Sequence, residues 1–316
     1  MIEVETLPDV VTYAVPGFVL LVLAEMIAVR LGAPGRYETR DAFASLAMGT
    51  GSQVAGILGL GAIGYGVWTF AYEHALFDIP ATWWTAAIAF IGYDFFYYWA
   101  HRIYHERRWF WADHVIHHSS QHYNLTTALR QGWTGSVAGT FVFYVPLAFL
   151  GFHPLLLAFV GGLNLIYQFW IHTEIVDRMG PFEWVFNTPS HHRVHHATNP
   201  EYLDANYAGV FIIWDRMFGT FVEERCEEKP TYGIVKNLAT FNPFVIAFHE
   251  YRGIFRDLRN AKSLREAWGY LWGPPGWSPD GSRMTSAALK ARWRRVHGGE
   301  GAVAPDEATP AMQPAE

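Results

Sequence analysis

Ten of the 15 histidines in this 316-residue chain fall within residues 101–122 and 191–196. They form HRIYH (His101, His105), HVIHH (His114, His117, His118) and HHRVHH (His191, His192, His195, His196). On a helix, residues at i, i+3 and i+4 share a face, so His101 with His105, the set 114/117/118 and the set 192/195/196 can each turn towards a common ion. Imidazole suits Zn, Cu, Fe and Ni, and thiolate ligation is absent because Cys226 stands alone. Eight ring nitrogens (His101, His105, His114, His117, His118, His192, His195, His196) exceed the three or four of a tetrahedral zinc site. They fit two metals, each with an open position. The HER at 105–107 is not a zincin motif, since Trp109 stands where the second histidine would be. One cysteine also excludes an internal disulfide, an iron–sulfur cluster and a CxxC pair.

The elements that must position these histidines have membrane character. The chain is 51% hydrophobic, 17% aromatic and only 16% charged, against about 25% charged in soluble domains. No Lys or Arg occurs between Arg40 and Arg102, or between Arg130 and Arg178. A net charge of −6 without a basic groove excludes a nucleic-acid binder. Spanning a membrane takes roughly 20 mostly apolar residues. Five stretches approach that: 10–29, with Glu25 its single charge, then 55–76, 83–100, 137–152 and 154–171. The fold class expected is all-α, a polytopic membrane protein with about five transmembrane helices and a helical cytoplasmic half. The N-terminus has no basic region or A-x-A site, so the first span reads as an anchor.

Arg30, Arg36 and Arg40 follow the first span and HRIYHERR follows the third, while the N-terminus is acidic. The positive-inside rule then puts the N-terminus outside and residues 30–42, 101–132 and 172–316 inside, in a bacterial-type inner membrane. Three regions are expected: 1–84, an N-terminal transmembrane region; 85–250, the catalytic domain; and 251–316, a cytoplasmic extension disordered from about 298. Residues 207–218 are apolar but too short to cross and read as interfacial or buried. Asn124 and Arg130 read as a helix cap and a cytoplasmic anchor.

The order HxxxH, HxxHH, HxxHH on this frame resembles the membrane fatty acid hydroxylase/sterol desaturase superfamily. WADHVIHHSSQHYNLTTALRQ, QFWIHTE, NTPSHHRVHH and WDRMFGTF look most like its alkylglycerol monooxygenase branch, departing at Gln121 where that pattern has an acidic residue. The likeness covers about residues 85–250. It implies two iron ions (Fe2+/Fe3+) on the eight motif histidines, with His172 as a ninth ligand at the end of the fifth span. Asp94, two helical turns before His101, is expected to support the ligands, since ligating imidazoles usually give their other N–H to an acceptor. Glu174 and His191 join it in that role, and His122 could share the ligand face. Glu106, Asp113 and Asp204 read as solvated or paired charges.

The resemblance implies a lipid monooxygenase that hydroxylates or desaturates a C–H bond, with dioxygen as co-substrate. A lipid substrate and the membrane are its partners. No nucleotide fingerprint, haem site or iron–sulfur cysteines are present, so electrons must come from a separate reductase or carrier, or from a pterin. A membrane metal transporter and a di-zinc hydrolase are the alternatives the same histidines allow.

Overall fold

The computed structural model describes residues 1–297, and the tail expected to be disordered from residue 298 lies outside the described residues. Their regular secondary structure is all helical, apart from two isolated β-bridges, Phe186 with Phe211 and Ala197 with Tyr232.

Helix α1 (Val10–Arg30) starts where the Asp9 carboxylate accepts the Val11 and Thr12 N–H groups. Helix α2 (Thr39–Ala55) runs through a π turn (Gly56–Leu60) into α3 (Gly61–Glu73), with a kink at Gly59, where φ is +89°. The second apolar stretch therefore begins at Thr39 rather than near residue 55. At 1.5 Å per residue it extends about 50 Å, more than a ~30 Å hydrocarbon core needs. Val4–Arg30 and Thr39–Glu73 are the two helical runs among the described residues that are long and apolar enough to cross a membrane.

Helix α4 (Trp83–Glu106) opens with a capping box between Thr82 and Thr85 and carries His101 and His105 in its last two turns. A break at Arg107 leads into α5 (Arg108–His118), which holds the second motif. Residues 137–152 are not one helix. After the short α6 (Leu125–Ala128), they divide into the end of α7 (Gly135–Ala138), a 3-10 turn at Thr140–Tyr144, and α8 (Val145–Leu150). Gly139, at φ +84°, breaks the run in a conformation that costs a glycine little. Helix α9 (Pro154–Trp170) is 17 residues long and delivers His172 just past its end.

Helix α10 (Pro189–His195) carries the third motif, and α11 (Ile213–Phe218) lies against α4. Helices α12 (Pro243–Arg259), α13 (Leu264–Trp272) and α14 (Ser286–His297) complete the described chain. The expected boundary at 250/251 falls inside α12. Arg108 joins that region to the catalytic part: its Nε donates to Glu250 at 2.6 Å and its Nη1 to Asp257 at 2.7 Å, and Arg283 also binds Asp257.

Two buried charges tie the N-terminal helices to the histidine region. Glu25 accepts the Leu125 N–H at 2.7 Å and the Thr173 and Tyr37 hydroxyls. Arg130, 1% exposed, pairs with Asp41 at 2.8 Å and also donates to Ser119 Oγ and the Ile116 carbonyl. It is thus an internal tie between α2 and α5, and the expectation of a cytoplasmic anchor is corrected: a guanidinium with this many internal acceptors can be withdrawn from water. Arg130→Ala leaves the buried Asp41 without its guanidinium, with only Ser120 and His122 as side-chain partners, and up to about 3–5 kcal/mol of destabilisation is expected. A comparison of thermal unfolding for Arg130→Ala and Asp41→Asn/Arg130→Met in detergent checks this, the double variant being expected to lose less.

Candidate metal centre

All nine histidines expected to bind metal converge into two groups. His101, His105, His114, His118 and His195 form one, His117, His172, His192 and His196 the other, and within each the nearest ring nitrogens all lie within 4.8 Å of one another. The grouping corrects the expectation of one ion per motif. In HVIHH the i, i+4 pair His114 and His118 joins the first group and His117 the second. In HHRVHH the pair His192 and His196 joins the second group and His195 the first. At 100° per residue, i+3 and i+4 diverge to opposite sides of residue i, so each motif straddles both positions. The groups are adjacent, with the His118 and His196 rings stacked at 4.4 Å.

Within the groups bare nitrogens face one another. Nε2–Nε2 distances are 2.8 Å for His101–His114, 3.2 Å for His114–His118 and 3.1 Å for His118–His195. They are 3.1 Å for His117–His172, 3.0 Å for His172–His192 and 3.2 Å for His192–His196. Several of these rings spend their other nitrogen on a carbonyl. His101 Nδ1–H donates to Tyr207 O at 2.8 Å, His195 to Ala205 O at 2.9 Å, His172 to Gln168 O at 2.7 Å and His117 to Arg130 O at 3.2 Å. That fixes the tautomer and leaves the Nε2 lone pair pointing inward. Two nitrogens at right angles, each about 2.1 Å from one ion, sit about 3.0 Å apart, whereas tetrahedral angles give about 3.4 Å. His105 Nε2 is buried without a hydrogen-bond partner. The donor set therefore fits two cations of high coordination number.

Burial favours the neutral form, which ligation requires, in eight of these imidazoles. It pushes His101, His114, His118, His172, His192, His195 and His196 well below the ordinary histidine range and His117 down to about 4.

Residues 204–211 orient the first group. Ala205 and Tyr207 supply the two carbonyls just named, and Asp204 Oδ1 stands 3.5 Å from His105 Nδ1. Asp204 and Asn206 hold positive φ, +49° and +55°. Asp215 accepts the Tyr207 and Ala208 N–H groups, both at 2.8 Å, and burial pushes its carboxyl up to about 6. Asp94 accepts Val210 N at 2.8 Å, Phe211 N at 2.9 Å, Trp214 Nε1 at 2.9 Å and Asn164 Nδ2 at 2.7 Å. A Cβ on Gly209 would come within 2.8 Å of Asp94 Oδ1, so the chain can pass only as glycine. Asp94 thus touches no ligand imidazole but holds the segment that does.

The remaining expected residues lie outside the groups. Glu174 accepts from Tyr232 at 3.2 Å, and burial raises its pKa. Tyr232 stacks on Tyr123, which stacks on His172. The His191 ring packs against Phe221, and its Nδ1 is buried without a partner. His122 faces Asp41 at 3.2 Å. Asp204, read as a solvated or paired charge, is paired with His105, while sequence reasoning missed Asp215 and the carbonyls of Ala205 and Tyr207. Backbone acceptors leave no trace in residue type, although two acids flanking YAGV were a usable signal.

A cavity of about 500 Å³ opens on His105, His118 and His195, with Trp111, Val115 and Leu203 among its apolar walls. Met284, Ser286 and Leu289 from the C-terminal region complete it.

Residues 86–220 match the fatty acid hydroxylase family model. The chain carries a domain of that family. It is 40% identical over 291 residues to the alkylglycerol monooxygenase of Danio rerio, covering 90% of this chain and 64% of the relative. The human alkylglycerol monooxygenase is also 40% identical, over 287 residues, with 89% and 62% covered. The ornithine lipid hydroxylase OlsE of Rhizobium tropici is 29% identical over 128 residues, with 40% and 39% covered. The chain spans less than two thirds of the length of the monooxygenases it matches. No solved structure matches it.

Two metal outcomes are expected. His195→Ala should weaken the first position alone, lowering bound metal from about two ions per chain towards one, read by elemental analysis. Because burial pushes His117 down to about 4 and His172, His192 and His196 well below the ordinary range, protons should not displace metal from the second position until the pH falls to about 4 or below, and that ion should stay bound at pH 6. Dialysis across that range followed by metal analysis checks it.

Proposed function

We propose that this chain is a membrane-bound, non-haem di-iron oxygenase that inserts oxygen into a C–H bond of a lipid. The observation that carries this is the pair of imidazole groups with Nε2 spacings of 2.8–3.2 Å, which suit right-angled rather than tetrahedral ligation. His101, His105, His114, His118 and His195 would hold one iron and His117, His172, His192 and His196 the other. A bound iron pair would supply the activation of dioxygen that an unreactive C–H bond requires. Asp94, Glu174 and His191 support the ligand scaffold from outside it, Asp94 by fixing residues 210–214.

The chain's own residues would set where the substrate carbon lies. Trp111, Val115 and Leu203 offer an apolar wall beside the first group, while burial of the second group keeps bulk water away. The apolar runs Val4–Arg30 and Thr39–Glu73, with α4, α8 and α9 beside them, support a multi-pass placement. In that placement the N-terminus is outside and the histidines lie at the cytoplasmic surface. The relatives are named for action on alkylglycerols and ornithine lipids, so a glyceryl ether lipid is the first substrate to try. Electrons would come from a separate reductase or from a reduced pterin.

The test is metal analysis of detergent-purified chain, with lipid products followed by mass spectrometry with and without dioxygen and reductant. Iron at about two per chain and oxygen-dependent products heavier by one oxygen atom are expected, with His105→Ala and His195→Ala inactive. Stoichiometric zinc in protein whose activity ignores oxygen would overturn the proposal in favour of a hydrolase.

A further inference from the structure

Helices α12 and α13 carry an apolar face that the described residues leave largely uncovered. At 100° per residue, Phe244, Phe248 and Phe255 lie within about 40° of one another around α12, and they are 68%, 44% and 63% exposed. Leu264, Trp268 and Trp272 form the matching row on α13, at 90%, 63% and 38%. The opposite side of α12 buries Ile246, Ala247 and Ile254 and packs on α5 and α2. Five cations rim the exposed face, and all are exposed: Arg252, Arg256, Arg259, Lys262 and Arg265. The nearby acids are engaged elsewhere. Glu250 and Asp257 bind Arg108, Asp257 also binds Arg283 and reaches Arg256 only at 3.9 Å, and Glu266 accepts the Lys262 N–H.

We propose that the α12–α13 hairpin is a surface foot that lies in the headgroup region of an anionic phospholipid bilayer. Exposed Phe, Leu and Trp flanked by exposed arginines is the composition of a helix that rests in the interface plane, and the cations complement anionic headgroups. The face is also continuous with the apolar frame. Phe244 and Phe248 meet Trp133 edge-on at 5.5 and 6.1 Å, and the Trp133 indole N–H donates to Met48 O in α2. The hairpin therefore leaves the body of the protein beside the apolar run Thr39–Glu73. Because α12 also contributes His249 and Glu250 to the cavity wall, the foot would hold that cavity close to the lipid surface. The inference rests on placing Thr39–Glu73 in the bilayer.

The test is a depth measurement on the full chain reconstituted in phosphatidylcholine vesicles with and without phosphatidylglycerol. Nitroxide labels go on Phe255→Cys, Trp268→Cys and Phe70→Cys, each in a Cys226→Ser background. The unaltered chain labelled at its exposed Cys226 is the aqueous reference. Relaxation by dissolved oxygen is compared with relaxation by a water-soluble nickel chelate. The ratio at positions 255 and 268 is expected severalfold above that at 226, and lower than at 70. Removing phosphatidylglycerol should reduce it, and should have no effect in an Arg252→Gln/Arg256→Gln/Arg259→Gln chain. Ratios at 255 and 268 equal to that at 226 would overturn the foot, as would shielding from both reagents, the mark of a protein contact. A low ratio at 70 would instead overturn the bilayer placement itself. Labels on two separate helices keep the result independent of any one variant's folding.

Discussion

Nine imidazoles pressed together, their ring nitrogens facing one another, are a repulsive arrangement until positive charge sits among them. Their Nε2 lone pairs face each other at about 3 Å, as ligands at right angles around one ion do. No proton can relieve all the contacts, because several rings already give their Nδ1–H to a backbone carbonyl and burial opposes a second proton. Those carbonyls come from Gln168, Arg130, Ala205 and Tyr207, on three segments far apart in the chain. Much of the remaining structure serves to keep these acceptors in place.

Buried carboxylates do that work. Removing an ionised group from water is costly unless it is fully hydrogen-bonded, and here each one collects several donors from different segments. Asp94 and Asp215 between them take four backbone N–H groups of residues 207–211, so the carbonyl of Tyr207 cannot drift from His101. Glu25 ties α1 to Leu125 and Thr173, and Asp41 ties α2 to Arg130, whose own carbonyl orients His117. The single charge inside the first apolar stretch is thus a fastening between the spanning frame and the metal centre.

The centre stands between two environments. On one side are apolar helices whose side chains are largely uncovered, such as Ile57 and Leu58 at 84% and 77% exposed. On the other is a cavity closed in part by residues 275–289, beyond the region that matches the family model. The Arg108, Asp257 and Arg283 cluster clamps that C-terminal region to α5, so the extension is part of the wall around the first metal position.

The sequence by itself pointed to a metal-binding chemistry: histidine type and clustering named eight of the nine convergent rings, the family resemblance added His172, and hydrophobic runs placed most of the long apolar helices. Those features are local, because a ligand must be a histidine and an apolar helix must be apolar wherever it lies. The tertiary structure alone decided how the rings divide between two ions, since the small angular offsets along α5 and α10 matter only once the helices face each other. It also decided that 137–152 is broken at Gly139, that α2 begins at Thr39, and that Arg130 is internal. The orientation of the rings was hidden for a related reason. Backbone carbonyls are identical at every residue, so which of them meets an imidazole depends on packing between segments distant in the chain.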